Sequence, residues 1–507
     1  MRSPHDAARL AQVHPDGWEN PRPAGRYDLV VVGAGTAGLV SAAIGAGLGF
    51  RVALVEHRLM GGDCLNAGCV PSKGVLAAAH AWHAARQGAP TFGAPPVGDG
   101  AGDFAAAFEQ MRATRAELAR IDGAARFRDL GVDVFLGRAR FVAGDAVQVD
   151  DGGVLRFRRA VLATGARPAI PPVPGLAELA PLTNESVFDL VRRPDRLLVV
   201  GAGPVGCELA QAFARFGSQV TLVDRDARVL AREDAEAAGV VERALVRDGV
   251  TLALGATLRQ AGRDAAGLPR LEGTRREGGA ERPLALDGDA VLVAAGRRPE
   301  LGDLGLDVAG IAHDARGVTV DDHLRTTNAR VWAVGDVNGL APFTHAADAQ
   351  ARLAVQNALF PGRARASALV VPRATYTSPE LAQVGRTAEE LAGAGTPFDT
   401  VTVPFAEVDR ARLERASEGF VRVHLARGGD RILGVTIVGT LAGELIAEAT
   451  LAMTAGLGLS ALGRTIHPYP THAEALRKAA DQRRRSRLTP TARRALGAWR
   501  WLARRLP

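Results

Sequence analysis

The residues best suited to chemistry form one short run, Gly61-Gly62-Asp63-Cys64-Leu65-Asn66-Ala67-Gly68-Cys69-Val70-Pro71-Ser72-Lys73. Two cysteines five positions apart, at the start of a helix, can reach disulfide distance if the first turn is distorted. Pro71 fits early in such a helix. The positive end of the helix lowers a thiol pKa and favours the reactive thiolate. Metal binding is a poorer reading, because no second Cys/His cluster stands nearby to complete four ligands. An inert buried pair is the plainest alternative. The chain has only three cysteines in 507 residues, so a disulfide scaffold is excluded.

Two glycine-rich turns could hold nucleotides. Gly33-Ala-Gly35-Thr-Ala-Gly38 follows the apolar run Tyr27–Val32 and opens a small-residue helix, after which a second strand closes on Glu56. The same grammar returns at Arg196–Val200, Gly201-Ala-Gly203-Pro-Val-Gly206, a helix, and a strand closing on Asp224. In both copies the acid stands 18 residues after the third glycine. Glycines let the backbone approach a pyrophosphate, helix N–H groups bind it, and the acid accepts from ribose hydroxyls. A tight structural turn would explain one copy. Two copies imply two dinucleotides, a flavin and a nicotinamide.

Lysine is nearly absent: Lys73 and Lys478 stand against sixty arginines, which marks both for attention. Net charge is +7, but residues 477–507 alone sum to +10 and the remainder to −3. The basic excess belongs to a tail, and no specific nucleic-acid partner is expected. An apolar fraction of 47% and a charged fraction of 23% exclude wholesale disorder, collagen and coiled coil. The length suggests three or four domains. No run reaches the ~18 apolar residues of a membrane span. Residues 1–25 carry charges and prolines where a signal peptide has its apolar core, so a cytoplasmic protein is expected.

The elements that must hold these residues follow from the same patterns. Residues 1–25 are a polar, Pro-containing lead-in. Residues 86–103, rich in Gly and Pro, read as a loop between two helices. Residues 250–295 alternate short apolar runs with Gly/Arg turns, which predicts an antiparallel meander on the second unit. From about residue 366, strand-like runs (Phe420–Leu425, Ile432–Val438) precede long Ala/Leu helices, an α+β pattern without a nucleotide motif.

Together these residues resemble the class I pyridine nucleotide-disulfide oxidoreductases, such as dihydrolipoamide dehydrogenase, glutathione reductase and mercuric reductase, over about residues 26–480. Ala163-Thr164-Gly165, Ala295-Gly296-Arg297, Val334-Gly335-Asp336 and Tyr376–Glu380 carry the likeness further. The resemblance implies an α/β fold with two dinucleotide-binding (Rossmann-like) domains, for FAD and NAD(P), plus a C-terminal α+β dimerisation domain. The implied boundaries are a lead-in at 1–25, an FAD domain at 26–165 and 300–365, and an NAD(P) domain at 166–299. An interface domain at 366–480 and a basic tail at 481–507 complete the chain. A homodimer is implied, in which NAD(H) or NADP(H) reduces the flavin. The flavin then reduces a Cys64–Cys69 disulfide, and the dithiol reduces a small-molecule or disulfide acceptor.

Residue by residue, the resemblance makes Cys69 the flavin-facing thiolate and Cys64 the interchange thiol. Lys73 would pair with Glu208 beside the flavin, a slim point charge where a planar guanidinium would not fit. Gly33, Gly35, Gly38, Glu56, Thr164, Gly165 and Asp336 would hold FAD. Gly201, Gly203, Gly206, Asp224, Arg225 and Gly296 would hold the nicotinamide cofactor. Asp224 favours NADH, since it accepts from a 2′-hydroxyl and repels a 2′-phosphate, although Arg225 stands where NADPH-using relatives carry arginine. Cys207 reads as a small packing residue. No metal site is expected.

Some departures matter. Disulfide-reducing members end with a His-Pro-Thr-x-x-Glu-like motif from the partner subunit, whose His is the acid/base. This chain reads Ile466-His467-Pro468-Tyr469-Pro470-Thr471-His472-Ala473-Glu474. Keeping Pro-Thr and Glu474 in place puts Tyr469 at the base position, and this alignment is preferred. Keeping His-Pro makes His467 the base and moves His472 into the Glu position. A tyrosine, with an ordinary pKa of ~10, is a poor base at neutral pH. Mercuric reductases also carry Pro-Tyr here, and Glu208–Ser218 and Ala163–Gly175 resemble that branch. Those enzymes use a C-terminal cysteine pair, however, and no cysteine follows Cys207. The acceptor is therefore open. A mercuric ion reductase and a dihydrolipoamide dehydrogenase are alternatives, and a redox-responsive binding protein is one of a different class.

The tail has its own pattern. From Pro490 a helix would place Ala492, Leu496, Trp499, Ala503 and Leu506 on one face, with Arg493, Arg494, Arg500 and Arg504 off it. The expectation is docking on the protein's own body. Contact with a membrane surface and nonspecific polyanion binding are the alternatives.

Overall fold

In the computed structural model the run Arg26–Val32 is the centre of a seven-stranded sheet. It pairs in parallel with Val52–Glu56 on one side and with Gly153–Leu162 on the other. Val132–Leu136 extends the parallel side, and Ala146–Val149 and Ala139–Ala143 add antiparallel strands at the far edge. Val331–Ala333 pairs in parallel with the carboxyl half of Gly153–Leu162. The two central strands, Arg26–Val32 and Val52–Glu56, are buried on both faces and accordingly read as continuous Val/Leu/Ala runs, whereas Gly153–Leu162 alternates buried and exposed positions over its first half. The structure describes every residue except 1–2, 24, 96, 98–101, 151–152, 487, 489 and 506–507. The chain divides into two compact units, Met1–Ala227 with Asp248–Leu369, and Arg228–Arg247 with Val370–Pro507.

The first unit holds a second, four-stranded parallel sheet in the order Thr251–Ala253, Gln219–Val223, Arg196–Val200, Ala290–Val293. The meander expected at 250–295 is present as three antiparallel strands, Ala256–Arg263, Pro269–Glu277 and Ala280–Asp287. A two-stranded ribbon, Ala166–Pro168 with Arg297–Pro299, carries the chain into and out of this part.

Two segments differ from the sequence expectation. The lead-in contains a helix, Pro4–Val13, whose N-cap Ser3 accepts from the His5 N–H and whose buried side includes Arg9 and Val13. Apolar periodicity missed it because an arginine fills a core position. The stretch from residue 86 remains helical through Ala84–Gly88 and Ala89–Thr91, where Pro90 sits in a first turn that has no use for its N–H.

The second unit is built on a five-stranded antiparallel sheet in the order Arg373–Thr375, Glu380–Gly385, Ile432–Gly439, Phe420–Ala426, Phe398–Pro404. Helices Ala442–Thr454, Leu459–Arg464 and Glu474–Ser486 share its core of Val421, Val423, Val435 and Ile437. The helix Ala235–Arg247 belongs to this unit, and Arg422 donates to Asp234 just ahead of it at 2.9 Å. Helix Pro490–Ala503 forms as the tail pattern predicts, but none of its residues is buried. Docking of this helix on its own unit is therefore not observed. Its apolar face, largely alanine beside Leu496 and Trp499, offers little area against the entropy of fixing an arginine-rich helix. Leu506 lies outside the described residues. Among those described, no helix is long and apolar enough to cross a membrane.

Candidate active site

Glycines seat the cysteine run on the first nucleotide turn. Gly62 has φ +56°, and a Cβ there would fall 2.5 Å from Gly35 Cα. The Gly61 N–H donates to Ala34 O at 2.8 Å. Cys64 lies in the short helix Gly62–Asn66, the chain breaks at Ala67-Gly68, and Cys69 begins the helix Cys69–His83. This break is the distorted first turn that the spacing requires. Both cysteines are free thiols, within hydrogen-bond reach of each other.

The two thiols are not equivalent. Cys69 is pulled down to about 6, first by the bond from the Cys64 thiol, with Thr344 and the Lys73 charge adding to it against burial. Thr344 Oγ1 lies 3.2 Å from Cys69 Sγ. Cys64 is driven upward, since it donates that bond and is itself desolvated. Near neutral pH the pair therefore holds one proton, on Cys64. Cys69 is the position to which the resemblance assigns the flavin-facing thiolate. Cys207 is fully buried and donates to Ala202 O at 3.3 Å, as a packing residue would.

One turn beyond Cys69, Lys73 Nζ lies 2.9 Å from Glu208 Oε2. Glu208 is buried in Pro204–Arg215, the helix that follows the second glycine turn, so the pair ties the two nucleotide halves together.

The glycine turns fit dinucleotides. A Cβ on Gly33 would sit 2.3 Å from Ala163 O and one on Gly201 2.5 Å from Ala294 O. On Gly38 and Gly206 it would fall 1.8 Å from Gly33 O and Gly201 O. Packing alone demands these four. The middle glycines differ: Gly203 has nothing within 4 Å, and Gly35 has only Gly62 Cα at 3.8 Å. That leaves open backbone at two helix N-termini, where a pyrophosphate would approach. Glu56 and Asp224 also brace their own turns. Glu56 Oε2 accepts from the Ala34 N–H at 2.7 Å, and Asp224 Oδ2 from the Ala202 N–H at 2.5 Å. The Arg225 side chain is 86% exposed.

Strand ends gather the remaining cofactor positions. Ala163 N donates to Val32 O and Val334 N to Leu162 O, which sets Thr164 and Asp336 beside Gly33 at adjacent strand ends. Thr164 Oγ1 donates to Glu300 O at 2.8 Å. Gly165 and Gly296, at φ +73° and +128°, begin the two strands of the crossover ribbon with open space where a Cβ would project. Burial raises the Asp336 carboxyl although Arg297 lies 3.5 Å away. A desolvated carboxyl of this kind suits a hydroxyl-bearing ligand.

The C-terminal candidates lie in the other unit. Tyr469 is 71% exposed and donates to Asp409 Oδ2 at 3.0 Å, which raises its pKa further. His467 Nε2 meets Glu448 at 3.0 Å, and His472 Nε2 meets Glu414 at 2.9 Å. Glu474 Oε1 accepts from Arg477 at 2.9 Å, while its buried Oε2 has no hydrogen-bond partner. The tyrosine thus pairs with Asp409 and not with Glu474.

Sequence reasoning missed Thr344, which approaches Cys69 from 275 residues away and carries no motif of its own. It also missed three side chains around the redox run. Asn184 donates to Asp63, Arg9 donates to Asn66 Oδ1, and Arg115 donates to the Asn66 carbonyl.

Comparison with known proteins follows the same lines. Residues 27–351 match the pyridine nucleotide-disulphide oxidoreductase family and residues 371–480 its dimerisation domain. The mercuric reductase of Streptomyces lividans is 36% identical over 471 residues, covering 90% of this chain and 96% of that one. Dihydrolipoyl dehydrogenase 3 of Pseudomonas aeruginosa is 37% identical over 470 residues, covering 90% and 97%. The Cu(II) complex of the HOCl-induced flavoprotein disulfide reductase RclA from Escherichia coli superposes with a TM-score of 0.79 at 28% identity, covering 90% of this chain and 100% of that one. Members of the family bind FAD and NAD(P)H, and the dimerisation domain supports a homodimer. The chain belongs to the pyridine nucleotide-disulphide oxidoreductases and is an NAD(P)H-dependent flavoenzyme of that family.

Proposed function

We propose that the enzyme passes electrons from NADH to a thiophilic acceptor that reacts at the Cys64/Cys69 pair. The observation that carries this reading is the divided pair, with an acidic Cys69 held by Thr344 and Cys64 keeping the proton. Bound FAD would supply hydride acceptance from the nicotinamide and electron delivery to the disulfide. Glu56, Asp336 and the first glycine turn would hold it, and Lys73 with Glu208 would set the charge nearby. Cys64 would bond the acceptor through its sulfur as its proton passes to water, and Cys69 would close the disulfide as the acceptor takes up two electrons. In the dimer, Tyr469 and Glu474 of the partner subunit would complete the site. Asp224, fixed at the end of its strand, supports NADH over NADPH, whereas Arg225 points to solvent.

Tyr469 favours one class of acceptor. A phenol whose pKa is raised by Asp409 stays protonated and donates, so it serves poorly as the base for dithiol–disulfide exchange. A soft metal ion needs no such base, and the relatives include a mercuric reductase. The metal ion would be delivered directly to Cys64 and Cys69. The test is stopped-flow reduction by NADH, followed by an acceptor screen of Hg(II), Cu(II), disulfides and quinones. Reoxidation by the metal ions at least tenfold faster than by disulfides supports the reading. The reverse order contradicts it.

The tail, with five arginines and no acid over residues 490–505, is read as a contact for anionic membrane surfaces. Its exposed Leu496, Trp499 and Leu502 support that reading.

A further inference from the structure

Residues 4–13 precede the segment that matches the family, which begins at residue 27. Their helix is nonetheless wired to the redox loop. Arg9 is 8% exposed, and its Nη1 donates to Asn66 Oδ1 at 2.5 Å. Asn66 lies between Cys64 and Cys69 and ends the short helix that carries Cys64. The Asn66 amide donates to Met60 O at 3.0 Å and to Gly62 O at 2.9 Å, so Arg9 fixes which way that amide faces. The Met60 N–H in turn donates to Val13 O at 3.0 Å.

A second cation holds the same residue from the other side. Arg115, 2% exposed on the helix Phe104–Asp122, donates from Nη1 to the Asn66 carbonyl at 2.8 Å. Its Nη2 donates at 2.7 Å to Asp6 Oδ1, on the N-terminal helix. Asp6 is also 3.7 Å from Arg9 and 3.6 Å from Arg112. Three buried arginines gathered on Asp6, with Glu109 3.2 Å from Arg112 and Asp189 4.0 Å from Arg115, are an expensive arrangement for a helix that only covers surface, since desolvated cations need partners in place. A plain apolar cap would cover the site at lower cost.

We infer that the N-terminal helix is a brace for the redox loop, with Arg9 as a positioning residue that holds Asn66 and thereby sets how readily Cys64 and Cys69 close into a disulfide. The inference rests on the oxidoreductase reading of the pair. The ease of closure is the effective concentration of one thiol at the other, and that depends on the relation between the Cys64 helix and the Cys69 helix. Asn66 and the Ala67-Gly68 break are the joint between them.

The experiment equilibrates the holoenzyme, without nicotinamide, in glutathione redox buffers and counts free thiols after acid quench. In the reaction read, Cys64–SH and Cys69–SH become Cys64–S–S–Cys69 while one glutathione disulfide is reduced to two glutathione thiols. Wild type, Arg9→Ala and Arg9→Lys are compared, with FAD content as the check on folding. The expected result is a closure constant about tenfold lower in Arg9→Ala, equivalent to about 30 mV for two electrons. Arg9→Lys should recover part of it, because an ammonium can still donate to Asn66 Oδ1. Constants within twofold of wild type in an Arg9→Ala protein that retains FAD would overturn the brace and leave the oxidoreductase reading standing. Should Arg9→Ala lose FAD, Asn66→Ala carries the test. It removes the oxygen that accepts from Arg9 and leaves the backbone carbonyl that accepts from Arg115, so an unchanged closure constant overturns the brace. A wild-type pair that never closes in any buffer removes both readings together.

Discussion

Thr344 Oγ1 lies 3.2 Å from Cys69 Sγ and donates to its thiolate from a helix that begins in the last strand-following segment of the first unit. The bond works with the Cys64 thiol to hold Cys69 at about 6, below the ordinary thiol range. The long-wavelength absorbance of the two-electron-reduced enzyme, which reports that thiolate beside oxidised flavin, is expected to fade as pH drops through about 6. Thr344→Val removes one donor and moves the fading to higher pH. Well below the midpoint the thiolate fraction should drop by up to about tenfold, since a hydrogen bond to a charged group is worth about 1.5–3 kcal/mol and 1.4 kcal/mol is tenfold. A pH titration of the band in both proteins checks this.

Asp224 carries the cofactor prediction. Its two oxygens accept from the Ala202 and Asp226 N–H groups, so the carboxylate is held in place at the end of its strand. Asp224→Ala should narrow or reverse an NADH preference, and it should also loosen the second glycine turn. Flavin reduction rates with NADH and NADPH give the ratio directly. A wild type that prefers NADPH tenfold, about 1.4 kcal/mol, would show that Arg225 outweighs Asp224.

Much of this was legible in the sequence because it is local. The two glycine turns, their acids at fixed distance and the Cys64–Cys69 run each report a backbone constraint on neighbouring residues. The strands that carry them are continuous apolar runs, the pattern of strands buried on both faces. What the sequence concealed is long-range. Thr344 and Asn184 reach the redox loop from distant segments without a motif, and the helix Pro4–Val13 hides behind a buried arginine where a hydrophobic residue would have betrayed it. Charge pattern alone was no guide to the exposed tail helix, because solvent and docking arrangements share one amphipathic stripe.

Tyr469 separates two alignments of the C-terminal motif. Tyr469→Phe should slow the acceptor half-reaction about tenfold or more while flavin reduction by NADH is unchanged. His467, already paired to Glu448 and to the Thr465 carbonyl, should tolerate His467→Ala with little effect on either half-reaction. Rapid-mixing measurement of the two half-reactions distinguishes the cases. The opposite pattern would make His467 the acid/base.

The tail prediction concerns where the enzyme works. Full-length protein should co-sediment with vesicles of 30% phosphatidylglycerol at physiological salt, and a chain ending at Asp481 should stay in the supernatant with its NADH oxidation intact. Trp499→Glu should weaken sedimentation severalfold, since it places a charge on the apolar face. Equal partition of both proteins would remove the membrane reading, and a loss of dimer on truncation would show that the tail packs on the second subunit.

The central claim is that flavin and cysteine pair form one electron-carrying unit, and an anaerobic reductive titration of the purified protein tests it most directly. Yellow protein with non-covalent FAD is expected to take up two electron pairs per flavin, with the long-wavelength band rising during the first and falling during the second. Cys69→Ser should take up one pair and show no band, and Cys64→Ser should show the band before any reductant is added. A wild type that binds no FAD, or that is saturated by a single electron pair, would contradict the account.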